Sequence, residues 1–201
     1  VQVYWGSKQV LPQRTAAAAC EVSFCLCKSL QEGEISVRIG VVSDTHMFGR
    51  AKQLPRALTA GLQGVDQILH AGDWVEEEVV GLFERIAPID GIAGNNDGMD
   101  IIERFGRCKI LQLGGYRIGL VHGDGGRRST LERAIEEFNG MSVHAVIFGH
   151  SHIPYHGIHN GILLFNPGSP TDKRRQPQYS YGIIKLGAAI EAEIFYYDDK
   201  S

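Results

Sequence analysis

A chain of 201 residues is long enough to bury its own core as a single domain, without disulfide staples. Its 43% hydrophobic and 21% charged residues and net charge of -3 are ordinary for a globular protein and supply no basic field for nucleic acid. An anion-binding site here must therefore make its own positive charge, which a metal ion does more compactly than an arginine cluster.

In chain order, residues 1–36 mix Tyr, Trp, Gln, an alanine run and cysteines without sustained periodicity. They read as an N-terminal extension to a domain over 37–201, with a helix over 15–30. A translated upstream region or an expression-derived remnant fits them equally. Glu21 interrupts the apolar part and no small-residue cleavage site follows, which argues against a signal peptide. Cys20, Cys25, Cys27 and Cys108 form no disulfide framework, and Cys25-Leu-Cys27 lacks the gap of a zinc knuckle. Free thiols in a reducing cytoplasm are the expectation. No stretch approaches the roughly 18 apolar residues of a membrane span.

From Val37 the grammar becomes regular. A buried strand is predicted over 37–42, a helix over 50–62, a strand over 67–70, a helix over 76–86 and a strand over 89–93, which is βαβ alternation and the parallel half of a sheet. After Gly98 the pattern shifts to hairpins, with strands over 109–113 and 116–121 flanking Gly114-Gly115. A helix over 128–138 and a buried strand over 143–148 follow. Strands over 153–158 and 162–165 pair across His159-Asn-Gly161, and the tail offers strands over 181–186 and 190–197. Two packed sheets with outer helices result. No internal repeat is present.

The chemistry lies at the strand ends. The run Ile39-Gly-Val-Val-Ser-Asp-Thr-His46 stops at Asp44 and His46, whose i, i+2 spacing at a strand exit lets both turn toward one ion. Asp73 ends Ile68-Leu-His-Ala-Gly-Asp, Asn95 and Asp97 follow the next strand, His122 ends Ile118-Gly-Leu-Val-His, and His150 and His152 end Val146-Ile-Phe-Gly-His-Ser-His. A lone histidine is more often structural than ligating. Asp, His, Asp, Asn, His, His and His at successive strand ends are not independent accidents. Imidazoles, carboxylates and one amide oxygen without thiolate suit Mn, Fe, Zn or Ni. This set is too large for one tetrahedral ion, and two ions about 3.5–4 Å apart would use it if one carboxylate bridged them. His70 should point away from the Asp73 side by strand alternation and is left out of the set.

The motif order Asp-x-His, Gly-Asp, Gly-Asn-x-Asp, His-Gly and Gly-His-Ser-His resembles the calcineurin-like metallophosphoesterase superfamily, and within it the small YfcE-type phosphodiesterases of bacteria and archaea. The resemblance covers 37–197 and includes Asn166-Pro-Gly-Ser169. It implies an α/β fold, a four-layer αββα sandwich of two mixed β-sheets flanked by helices. It also implies two divalent transition-metal ions, Mn before Fe, Zn or Ni. Asp44, His46 and His152 would bind one ion, Asn95, His122 and His150 the other, and Asp73 would bridge them. The expected activity is phosphodiester hydrolysis, by in-line attack of a metal-bridging hydroxide on phosphorus.

Two positions depart from the family pattern. Phosphomonoesterases of the superfamily commonly carry a histidine that protonates the leaving alkoxide where this chain has Asn96. Its absence favours diesters with good leaving groups. Relatives often have a second histidine in the block written here as His122-Gly-Asp124, which leaves Asp124 either behind the ligands or simply in a loop. Asp97 is read as orienting the groups beside Asn95, or as a turn residue before Gly98. Arg174 or Arg175 would contact substrate phosphate, or belong to a solvated basic turn. Loops 47–52, 97–107 and 123–128 would set the pocket walls. The expected partner is a small phosphodiester, with no membrane, no strong nucleic-acid signal, and a homodimer open through the second sheet. A silent scaffold of the same fold, and a nuclease or cyclic-nucleotide phosphodiesterase, are the alternatives. A scaffold has no need of His46, His122, His150 and His152 together.

Overall fold

Strand alternation sorts the core into layers. The computed structural model describes residues 21–23 and 36–201. Along β2 (Val37–Val42), Ile39 and Val41 face one way, into a cluster with Leu69, Leu111, Leu120, Ile147 and Phe165. Val42 faces the other way, against Leu58, Leu62, Val80 and Phe83. A third cluster gathers Ile110, Val146 and Leu164 with Ala134 and Phe138. These three clusters are the interfaces of helix on sheet, sheet on sheet, and sheet on helix. The molecule is the expected α/β four-layer sandwich.

The first sheet joins β2, β3 (Gln67–His70), β4 (Ile89–Gly91), β10 (Tyr179–Leu186) and β11 (Ile190–Tyr197) in the order β11-β10-β2-β3-β4. Its β2-β3-β4 half is parallel, and β10 runs antiparallel to β2. Helices α1 (Arg56–Gly61), α2 (Glu78–Glu84) and α3 (Met99–Phe105) cover its outer face. The second sheet joins β1 (Glu21–Ser23), β5 (Cys108–Leu113), β6 (Tyr116–Val121), β7 (Ala145–Ile147), β8 (Tyr155–His159) and β9 (Ile162–Asn166) in the order β1-β5-β6-β7-β9-β8. It is also mixed, with β6-β7-β9 parallel, and α4 (Thr130–Glu137) packs on its outside.

Several elements differ from expectation. The helix predicted over 50–62 begins only at Arg56, because Pro55 stands extended at its N-cap (φ −56°, ψ 140°). Helix α3 falls in a stretch read as a pocket loop. Its two turns bury Ile101 and Phe105 at i, i+4, and Gly106 ends it at φ +71°. At 21–23 the chain is a strand parallel to β5, where a helix over 15–30 was predicted. The rest of that predicted helix, with Cys20, Cys25 and Cys27, lies outside the described residues. The hairpin glycines behave as predicted, Gly114 and Gly115 both taking positive φ (53° and 84°). Helix α4 is closed by a capping box, Ser129 Oγ accepting from Glu132 N while the Glu132 carboxylate accepts from Ser129 N. No helix among the described residues is long and apolar enough to cross a membrane.

Candidate metal centre

The carboxyl ends of β2, β3, β4, β6 and β7 meet at one edge of the sandwich. Asp44, His46, Asp73, His150 and His152 all adopt left-handed backbone (φ 57°, 44°, 62°, 64° and 57°). Such a conformation is costly for residues with a Cβ and persists only where the surroundings enforce it. Here the enforcement is a lattice of loop hydrogen bonds. Asp44 N donates to Gly72 O (2.9 Å) and His46 N to Asp73 O (3.0 Å), tying the first two loops together. Ser169 Oγ donates to Asp44 O (2.7 Å) and Thr171 Oγ1 to Thr45 O. Asn166 Nδ2 donates to Gly149 O (2.8 Å) and anchors the loop that carries His150 and His152.

The imidazoles converge on two buried carboxylates. Asp44 Oδ1 lies 3.5 Å from His152 Nε2, 3.9 Å from His122 Nε2 and 4.0 Å from His46 Nε2. Asp73 Oδ2 lies 3.3 Å from His122 Nε2 and 3.5 Å from His46 Nε2. Two ligand-like groups result, Asp44 with His46 and His152, and Asp44 with Asp73 and His122. His122 Nδ1 donates to Ala71 O (2.7 Å) and His152 Nδ1 to Asp172 O (2.5 Å), so both rings turn Nε2 toward the carboxylates. Beside them His150 Nδ1 and Asn95 Oδ1 pair at 2.9 Å, and the His150 and His122 ring centroids are 5.2 Å apart. All seven predicted ligands are thus brought to one place, with His150 and Asn95 engaging each other at its rim.

Electrostatics suit cations. Burial pushes the Asp44 carboxyl up to about 7, against the charge of nearby His122. Burial also holds His46 and His150 below the usual imidazole range, and His152 down at about 4, keeping them in the neutral form that binds metals. His122 differs. Burial works against its charge, but the adjacent Asp73, then Asp44, overcome it and hold it up at about 9. Asp73 is correspondingly held far below the carboxylate range, burial notwithstanding, by His122 and by the Asn96 donors. His122 Nε2 is buried 3.3 Å from Asp73 Oδ2 and makes no aligned hydrogen bond with any partner among the described residues. A buried, unpartnered ring nitrogen aimed between two carboxylates is what a metal site leaves when described without its ion.

The remaining predicted residues occupy supporting places. Asn96 donates its N–H to Asp73 Oδ1 (2.9 Å) and its amide to Asp73 Oδ2 (2.7 Å). Asp97 accepts from the N–H groups of Asp73 (2.9 Å), Gly94 (2.7 Å) and Val75 (2.7 Å), so it joins the loops after β3 and β4 rather than holding Asn95. His70 lies apart, accepting from Gly72 N at Nδ1 (3.1 Å) and stacking on Trp74 at 3.7 Å. Asp124 is exposed. Asn166, Ser169, Thr171 and Asp172 carry supporting roles that sequence reasoning did not assign. The only signal for them was the Asn166-Pro-Gly-Ser169 resemblance.

A two-sheet sandwich whose crossing strand ends present carboxylates and imidazoles to a common point defines a metallophosphoesterase-type protein. Residues 37–189 match the calcineurin-like phosphoesterase superfamily domain, and the chain belongs to that family. It is 37% identical to a probable metallophosphoesterase of Methanocaldococcus jannaschii over 140 residues, covering 68% of this chain and 69% of the relative. A probable metallophosphoesterase of Methanothermobacter thermautotrophicus is 33% identical over 159 residues, covering 78% and 90%. Among solved structures, an archaeal phosphodiesterase superposes with a TM-score of 0.61 at 25% identity, covering 80% of this chain and 99% of that one.

Proposed function

We propose that this chain is a two-metal-dependent phosphodiesterase acting on a small phosphodiester. The observation that carries this reading is the convergence of the Nε2 atoms of His46, His122 and His152 on Asp44 and Asp73, with His122 Nε2 lacking any hydrogen-bond partner. Asp44, His46 and His152 would hold one divalent ion, and His122, His150 and Asn95 the other. Asp73, whose Oδ2 stands within 3.5 Å of both His46 and His122, would be shared. Mn is the ion of first choice, with Fe, Zn and Ni also matching the donors. When bound, such ions supply Lewis-acid charge for phosphate oxygens and acidify a coordinated water.

The chain's own groups then position and select. Asn96 fixes both oxygens of Asp73, and the backbone carbonyls of Ala71 and Asp172 fix the ring orientations of His122 and His152. The amide of Asn96 can donate a hydrogen bond but cannot give up a proton, which favours esters with good leaving groups. The similarity to an archaeal phosphodiesterase supports the same choice.

The test is hydrolysis of bis(p-nitrophenyl) phosphate by metal-stripped protein as Mn²⁺ is titrated back, with p-nitrophenyl phosphate in parallel. Metal-dependent diester cleavage with little monoester turnover is expected. Cleavage of neither ester at saturating metal would turn the reading toward a scaffold.

A further inference from the structure

Nine non-glycine residues take positive φ in the described structure, and five of them are the candidate ligands Asp44, His46, Asp73, His150 and His152. Asn160 sits in a hairpin turn and Val75 is held by Asp97. The other two are arginines, Arg127 and Arg174, and Arg174 (φ 47°) follows two residues after Asp172, whose carbonyl orients His152. Backbone strain concentrated at a site points to a role for the side chain it aims.

The Asp172 carboxylate lies 3.4 Å from Arg50 Nε and 4.0 Å from Arg174 Nε. Arg50 is the closer partner, and the long contact to Arg174 uses one edge of its guanidinium. Among the described residues no other acid pairs with Arg174, and its side chain is 52% exposed. Arg174 N also donates to Asp172 Oδ1 (3.3 Å), and the Asp172 carbonyl accepts from His152 Nδ1 (2.5 Å), so Arg174 is tied through Asp172 to the first ligand group. Arg175, the next residue, is exposed and makes no ion pair among the described residues. On a chain of net charge -3, a fixed cation at this mouth answers the need for local positive charge.

We infer that Arg174 is a substrate-binding residue whose guanidinium holds a non-bridging phosphate oxygen of the ester beside the Asp44, His46 and His152 group, while Arg50 retains Asp172. The inference rests on the phosphoesterase reading for its substrate, yet it concerns phosphate binding and is tested separately. A charge-assisted bond from a guanidinium to phosphate corresponds to about 10- to 100-fold in affinity.

The experiment is calorimetric titration of the Mn²⁺-loaded full chain with inorganic phosphate, for the wild type, R174Q, R174K and R175Q. The expected result is phosphate binding weakened about 10- to 100-fold in R174Q, less in R174K and less than about twofold in R175Q, with Mn²⁺ stoichiometry and affinity unchanged. Unaltered phosphate affinity in R174Q would overturn the inference. So would a parallel loss of Mn²⁺, which would mean the residue acts through the His152 loop, or a wild type that binds no phosphate. Arg174-dependent phosphate binding by a protein that cleaves neither ester would sustain the inference while the phosphodiesterase reading failed. Wild-type hydrolysis with an R174Q variant unchanged in KM and phosphate affinity would do the reverse.

Discussion

His46 and His152 face each other through their Nε2 atoms at 3.1 Å, with ring centroids 5.0 Å apart and planes 18° from parallel. Because His152 Nδ1 donates to Asp172 O, its Nε2 presents a lone pair. Without an ion, His46 must supply the proton between them. Asp44, His46 and His152 would together hold an ion here, both lone pairs then serving as donors beside the Asp44 carboxylate. If the centre holds two Mn²⁺ as proposed, replacing either ring by alanine should remove one equivalent and leave the fold in place. Mn²⁺ stoichiometry by calorimetry, with circular dichroism as the fold control, checks this. Two equivalents retained in H46A and H152A would contradict the assignment.

How much of this was legible differs by kind of information. The strand ends were readable because a parallel strand is an apolar run that stops abruptly, so Asp44, Asp73, His122 and His150 marked their own positions. The two sheets with outer helices followed from the order of elements, and the four-layer arrangement from the family resemblance. The lattice behind the ligands was not readable, since Ser169 reaches Asp44 across 125 residues and Thr171 reaches Thr45 across 126. Such contacts exist only once the β-sheets are packed. Helix α3 escaped for another reason: at two turns, its Ile101 and Phe105 are too few to establish a period, and Gly98 and Gly106 beside it read as loop. Asp97 was legible as important but not in its partners, which are backbone groups that carry no sequence signature.

Protonation should set the pH response of the metal-stripped protein. His122 is raised from 6.5 to about 9, so its contribution to stability is fully present below 6.5 and is lost as pH rises through 9. Asp44, raised to about 7, loses its contribution between about 4 and 7, a range in which His152, lowered to about 4, gains stability and offsets it. Between pH 7 and 9 His122 acts without that compensation. Urea denaturation of chelator-treated protein should show stability falling across this window by up to about 3 kcal/mol, and H122Q should flatten the fall. Mn²⁺ affinity should rise over the same window, since binding displaces the His122 proton.

Asp97 is a structural tie before anything else. It is buried and takes three backbone N–H groups, one of them from Val75, a β-branched residue at φ +81°. D97A strands these donors and releases the strained turn, and should destabilise the fold by about 2–4 kcal/mol. D97N keeps an acceptor oxygen and should cost about half as much. Chemical denaturation of the three proteins distinguishes this from a role confined to catalysis, in which D97A would leave the midpoint unchanged.

The glycines before the ligands give the most specific test of how tightly the site is built. A Cβ on Gly94 would overlap Asp73 Oδ1 and stand 2.8 Å from His122 Nε2. A Cβ on Gly149 would overlap Ser43 Oγ and stand 2.9 Å from Asp44 Oδ2. Neither glycine has positive φ, so the requirement is room for the carboxylates rather than backbone freedom. G94A should push Asp73 from its place and G149A should push Asp44, each costing about 1–3 kcal/mol and most of the Mn²⁺ affinity. Gly81, a half-buried position on α2 where a Cβ meets nothing within 4 Å, serves as the control, and G81A should match the wild type in Mn²⁺ binding. Metal titrations of the three variants decide it: if G94A and G149A bind Mn²⁺ like G81A, then Asp73 and Asp44 are not the anchors of the centre.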